Sequence, residues 1–125
     1  MFFKPFHTVT RFQTVLANTE SARDQHFRLR YHIFCEQTGF ENPADHPDKR
    51  EHDQYDTSSV HFLVWDKHRR RFAGAMRLVD AAQTFLPSEH ISGHHFRVPD
   101  DRRQRSMEFS RLCIVRRSTP LRRGK

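Results

Sequence analysis

"MEFSRLCIVRR", residues 107–117, decides how this chain is read. At its centre Leu112, Cys113, Ile114 and Val115 are apolar at successive positions, as in a strand covered on both faces. A strand of that kind belongs in the middle of a sheet. Yet Glu108 and Arg111 stand just before the run. They are three residues apart, a spacing that aims them at opposite faces of a regular strand. A carboxylate and a guanidinium share one site there only if the strand is irregular between them, so a bulge or sharp twist is expected near Phe109–Ser110.

The rest of the chain supplies partners for that strand. "SVHFLVWD" (59–66) and "RFAGAMRLVD" (71–80) read as two strands joined at "KHRRR" (67–71), which makes a hairpin. "RFQTVLAN" (11–18) suits a short strand. In the segment that follows, Thr19 or Ser21 can cap a helix, with Glu20 and Asp24 in or near its first turn. Phe27, Tyr31 and Phe34, with Leu29 and Ile33 beside them, give that helix an apolar face, and Gly39 suits its end. Residues 41–58 are polar, carry two Pro and have no periodicity. Long loops inside a compact domain are often functional. Residues 81–106 are mixed, with a short helix expected around 87–93. The order strand, helix, loop, hairpin, loop, strand implies an α/β (α+β) fold with a helix packed on a mostly antiparallel sheet. One domain is expected over residues 1–125.

The net charge of +7 invites a nucleic-acid reading, but its placement weakens it. Residues 97–125 hold ten basic and three acidic residues, whereas residues 1–96 hold twelve of each. The excess therefore sits in the last quarter, which ends in a basic tail over 117–125. The aromatic residues fall mostly at expected core positions, and no nucleic-acid-binding motif is present. A small basic nucleic-acid-binding protein is thus a weaker alternative, as is a remnant that only binds an acidic partner. No run is long and apolar enough to cross a membrane. "MFFKPFHTVTRF" (1–12) is broken by Lys4, Pro5, His7 and Arg11, so no signal peptide is expected. Cys35 and Cys113 lie far apart without a metal-type spacing, which fits a reduced, cytoplasmic protein with packed thiols. In "HISGHH", His90 and His94 have a metal-compatible spacing, with His46 and His52 upstream. Ser92-Gly93 interrupts any helix there, and no metal is expected.

Several charges sit beside apolar segments: Arg30 on the helix, Asp53 and Asp56 at the end of the long loop, Arg77 inside a strand, and Glu108 with Arg111. Singly, each has a plain reading as a surface or turn residue. Together they are best placed against one another, because unpaired buried charge is expensive. Arg77 and Arg111 would then bridge Asp53, Asp56 and Glu108 at one end of the sheet.

The ordered set "RYHIF" (Arg30, Phe34), Phe40, "DQYD" (Asp53, Asp56), "MRLV" (Arg77) and "EFSRL" (Glu108, Arg111) resembles the acyl-homoserine-lactone (autoinducer) synthases of the GNAT-type N-acyltransferase superfamily. It is more similar still to the PEP-CTERM/exosortase system-associated acyltransferases, relatives of the N-acyl amino acid synthases. The likeness spans residues 23–117. One departure is Phe40, where autoinducer synthases usually carry Trp. The resemblance implies transfer of a fatty acyl group from an acyl-carrier-protein or coenzyme A thioester to an amino-acid-like amine, with no tightly bound cofactor and no nucleic acid. By the same resemblance Glu108 and Arg111 are catalytic, Glu108 taking the amine proton directly or through water. Arg30, Phe34 and Phe40 would seat the amine, and Asp53, Asp56 and Arg77 would form an electrostatic cluster. No covalent intermediate is implied, which leaves both cysteines to packing. The family's phosphate-binding loop and helix follow this strand. Arg122, Arg123 and Gly124 would be their entry, so an incomplete, truncated GNAT-type fold is expected. Turnover would be impaired unless a second chain paired with the open strand.

Overall fold

A computed structural model describes residues 11–116 of the chain. The basic tail over 117–125 and the first ten residues lie outside the described residues. Strand β1 (Phe12–Leu16) leads to helix α1 (Glu20–Tyr31), which passes into a π-turn over His32–Gln37. Strands β2 (Ser59–Asp66) and β3 (Arg71–Asp80) form the expected hairpin. A short helix α2 (Pro87–Ile91), a 3₁₀ turn over Asp100–Arg105 and strand β4 (Met107–Ile114) complete the order.

The sequence forms α1 for local reasons. Thr19 is the N-cap, its hydroxyl accepting from the Ala22 amide, and Glu20 lies in the first turn. The helical stretch made by α1 and its π-turn stops just before Gly39, which takes a positive φ of 69° without Cβ strain. Its buried face, however, is not the expected aromatic one. His26, Arg30 and Ile33 are buried, while Phe27, Tyr31 and Phe34 are only half-buried. The helix turns a polar stripe to the sheet because charged partners wait there.

The four strands pair in chain order, β1-β2-β3-β4, all antiparallel. An apolar core of Ala17, Ile33, Leu63, Ala75 and Cys113 lies between α1 and the sheet. Val79, Ala81 and Leu86 make a second, smaller cluster under the loop that leads to α2. Gly74 lets β3 and β4 close up, since a Cβ there would come within 2.8 Å of the Cys113 carbonyl oxygen.

Strand β4 lies at one end of the described sheet. Phe109, Leu112 and Ile114 are each 71% exposed, and only Cys113 is buried. Each described strand pairs with the one before it, so β4 has β3 as its one neighbour among the described residues. The expected irregularity is present, two residues further on. Ala75 pairs with Cys113 and Arg77 with Ser110, so Met76 alone faces both Arg111 and Leu112. Arg111 takes the strained left-handed conformation, with φ of 54°.

Candidate functional site

The bulge answers the spacing problem in β4. It brings Arg111 onto the face that carries Ser110 and, across the ladder, Arg77. In register across three strands, His61 lies opposite Arg77 and Arg77 opposite Ser110. Helix α1 and the long loop cover this row. Three guanidiniums and three carboxylates meet there.

Arg30 donates to Glu51 at 2.5 Å and, with both terminal nitrogens, to Asp56 at 2.6 and 3.1 Å. Arg77 holds Asp53 with both terminal nitrogens, at 2.5 and 2.9 Å, and lies 3.0 Å from Asp56. It also donates to the Ser110 hydroxyl at 3.1 Å. Arg111 donates to Glu51 at 2.9 Å and to Asp53 at 3.3 Å, with Glu41 at 3.5 Å on the rim. Each guanidinium also has an aromatic ring beside it: Phe27 for Arg30, Tyr55 for Arg77 and Phe34 for Arg111, at 5.5 to 5.7 Å. Arg30, Arg77 and Glu51 are all but sealed from solvent. Three positive and three negative charges therefore neutralise one another, which is the condition for burying them.

The electrostatics follow from that arrangement. Burial alone would raise the Asp56 carboxyl, but hydrogen bonds from His61 and Arg30 outweigh it and hold the group well below the usual carboxylate range. Burial likewise works against the Arg77 charge, and the hydrogen bond to Asp53 with the nearby Asp56 carboxylate more than restores it. His26, fully buried and beside Arg30 and His61, is pushed down to about 3, chiefly by burial. It is therefore neutral, with Nδ1 3.1 Å from the Phe62 carbonyl oxygen. Burial pushes the Cys113 thiol up to about 11 and raises that of Cys35.

The expected residues divide. Asp53, Asp56, Arg77 and Arg111 meet as anticipated. Arg30 belongs to the same knot and is 0% exposed, with its donors committed to Glu51 and Asp56, so it has no free face for a substrate. Phe34 is half-buried under Arg111, while Phe40 is 80% exposed. Glu108 stands apart from the ion network and accepts from the Ser88 amide at 3.2 Å. Two members were missed. Glu51 lies in the same polar loop two residues before Asp53, and His61 bonds Asp56 at 2.9 Å through Nε2.

A second buried knot secures the β3–β4 connection. Glu89, 0% exposed, accepts from the Leu86 and Val98 amides and from both terminal nitrogens of Arg103. Glu41, His46 and Glu51 bring one ligand atom each within 4.8 Å of one another. Both Glu51 oxygens are already taken by Arg30 and Arg111, which suits ion pairing better than a metal. His90 and His94 are exposed, and α2 ends before His94.

Residues 29–120 match the family model of the acetyltransferase (GNAT) domain. The chain belongs to the GNAT acetyltransferase family. Its sheet and helix are the α/β arrangement expected of that family. Among solved structures it is similar to BjaI, a CoA-dependent acyl-homoserine lactone synthase solved with MTA. The two are 29% identical with a TM-score of 0.59, over 85% of this chain and 51% of that one. BjaI with SAM and isopentyl-CoA matches with the same figures. TofI, solved in a ternary complex with an inhibitor and MTA, is 26% identical with a TM-score of 0.61, over 82% of this chain and 56% of that one. This GNAT chain thus spans about half the length of those structures. No curated protein matches it.

Proposed function

We propose that this chain forms the amine side of an N-acyltransferase of the autoinducer-synthase type. It would act on a fatty acyl thioester of coenzyme A or acyl-carrier protein and an amino-acid-like amine, in the cytoplasm. The observation that carries this reading is the bulged, ion-pinned β4, which holds Ser110 and Arg111 on the site face in a chain of the GNAT family. An extra residue in a strand leaves a backbone amide out of the ladder. Such amides are suited to the oxyanion that forms when an amine adds to a thioester carbonyl.

In this reading the amine gives up a proton to Glu108, directly or through a water. The nitrogen then bonds to the carbonyl carbon, the carbon–sulfur bond breaks, and the thiolate leaves to take up a proton. Glu108 is half-buried and outside the compensated ion network, so its carboxylate is available for proton transfer. Phe34 and Phe40 would flank the amine, and Arg111 would tie the site to the network. Arg30, Asp53, Asp56 and Arg77 act as positioning residues, because their charges are spent on one another. The exosortase-associated branch is the closer affiliation by the ordered motif set in the sequence.

The test is release of free coenzyme A from acyl-CoA, with SAM or single amino acids offered as the amine. Amine-dependent thiol release supports the reading. Absence of thiol release, with neither substrate perturbing the folded chain, refutes it for this chain. A second reading is an impaired remnant that binds an acidic carrier protein. The net charge of +7 favours an acidic partner, and binding of the carrier without turnover is the signature of this reading.

A further inference from the structure

Two clefts of about 450 Å³ each adjoin on the β2 side of the ion network, and no β4 residue lines either. Arg23, Asp56, Thr57 and His61 line both. His61 spends Nε2 on Asp56, which also accepts from Arg30 and lies 3.0 Å from Arg77. Because Asp56 is held ionised and can only accept, His61 Nε2 carries the hydrogen. With the hydrogen on Nε2, the neutral form of the ring offers Nδ1 as an acceptor of fixed direction, and no described residue donates to it.

Arg23, at the shared wall, is half-buried and takes part in no ion pair among the described residues. The undescribed residues contain no Asp or Glu that could serve it. Of the acids nearby, Asp24 is committed to Arg28 and Arg50, and Glu20 is exposed to solvent. A guanidinium without an ion pair among the described residues and a fixed acceptor line the same space, sized for a small molecule, which calls for an anion that also donates.

We propose that this double cleft binds a small carboxylate bearing an adjacent hydrogen-bond donor, the chemistry of α-amino and α-hydroxy acids. The carboxylate sits on Arg23 and the donor on His61. This goes beyond the acyl-transfer reading and does not rest on it. His61 and Ser110 are separated by β3, a gap of two strand spacings or about 10 Å, so the ligand is not the amine held against a thioester at β4.

The 125-residue chain is titrated with glycine, serine, glycolate and lactate, following the His61 ring resonances by NMR and the heat by calorimetry. Acetate, which lacks the donor, and methylamine, which lacks the carboxylate, are controls. Saturable binding with a dissociation constant on the order of 1 mM or tighter is expected. Acetate should bind at least about tenfold more weakly, and Arg23→Gln should weaken the ligand by about tenfold or more. Arg23→Gln loses no ion pair among the described residues, so its circular dichroism should match the parent. The His61 shifts report on the site even if His61→Asn does not fold. Response to the amino acids alone or to the hydroxy acids alone supports the proposal and identifies the donor. No movement of the His61 resonances at about 50 mM of any ligand, or unaltered binding by Arg23→Gln, overturns it.

Discussion

Replacing Arg30 with Met tests whether the ion network holds the long loop to the sheet. Met fills much of the same space, so the change removes charge and hydrogen bonds more than volume. Glu51 and Asp56 would each lose a guanidinium while remaining buried, at 1% and 8% exposure. Glu51 keeps only Arg111, and Asp56 keeps His61 and Arg77. Breaking a buried pair from one side costs about 3–5 kcal/mol. With a urea dependence of about 2 kcal/mol per molar, the unfolding midpoint should fall by about 2 M. Arg50→Met provides the contrast, since it also removes an Arg–Asp pair, but one whose side chains are each 33% exposed. Its midpoint should shift by about 0.5 M or less. Adding Asp56→Asn to Arg30→Met should recover part of the loss, because one stranded charge is removed. Urea unfolding followed by tryptophan fluorescence measures all three. A drop for Arg30→Met no larger than that for Arg50→Met would refute the reasoning.

Three further outcomes are expected. Glu108→Gln should lower the rate of acyl transfer by about a hundredfold or more while leaving the unfolding free energy within about 0.5 kcal/mol of the parent; equal rates would remove Glu108 from proton transfer. Stability should fall as pH drops below 6.5, because unfolded His26 takes up a proton there that the folded ring refuses until about pH 3. The slope should approach about 1.4 kcal/mol per pH unit and flatten in His26→Asn, with the depressed Asp56 adding a further loss below its ordinary range near 3.8; identical urea midpoints at about pH 7 and pH 5 would contradict this. Cys113, with its thiol pushed up to about 11, and Cys35, raised by burial, should resist iodoacetamide in the native protein and react on unfolding; rapid native labelling would show the sites to be open.

The parts of the fold legible in sequence were those written in local pattern. The hairpin follows from period-2 apolar runs on either side of a basic turn, and α1 from its Thr19 start and Gly39 stop. The charged residues gathered for a reason visible in composition, since strands and a packed helix cannot leave such groups unpaired. Which acids would be used was not legible. Glu108 and Glu51 look equally eligible in the sequence, but only Glu51 lies within reach of both Arg30 and Arg111. His61 carried a usable signal, because a hairpin folded at its turn places it opposite Arg77. The apolar run of β4 reports what the strand can bury, whereas its place in the sheet depends on which chain comes to lie beside it; among the described residues that is β3 alone. Likewise, the polar stripe His26–Arg30 on α1 was hidden by its aromatic neighbours: Phe27 lies over the Arg30 guanidinium, and Phe34 lies under that of Arg111 while packing against the edge of the core.

The ion network also has a consequence for the order in which the molecule is assembled. Its bonds join residues 21 apart between Arg30 and Glu51, 24 apart between Arg77 and Asp53, and 60 apart between Arg111 and Glu51. None can form by local collapse, and a guanidinium that arrives early is desolvated without its partners. The knot therefore closes late, after the hairpin and helix have met. Interactions absent from the transition state leave the folding rate nearly unchanged and act on the unfolding rate. The long loop is thus fastened by a kinetic latch: slow to be released once closed, and of little use in finding the fold.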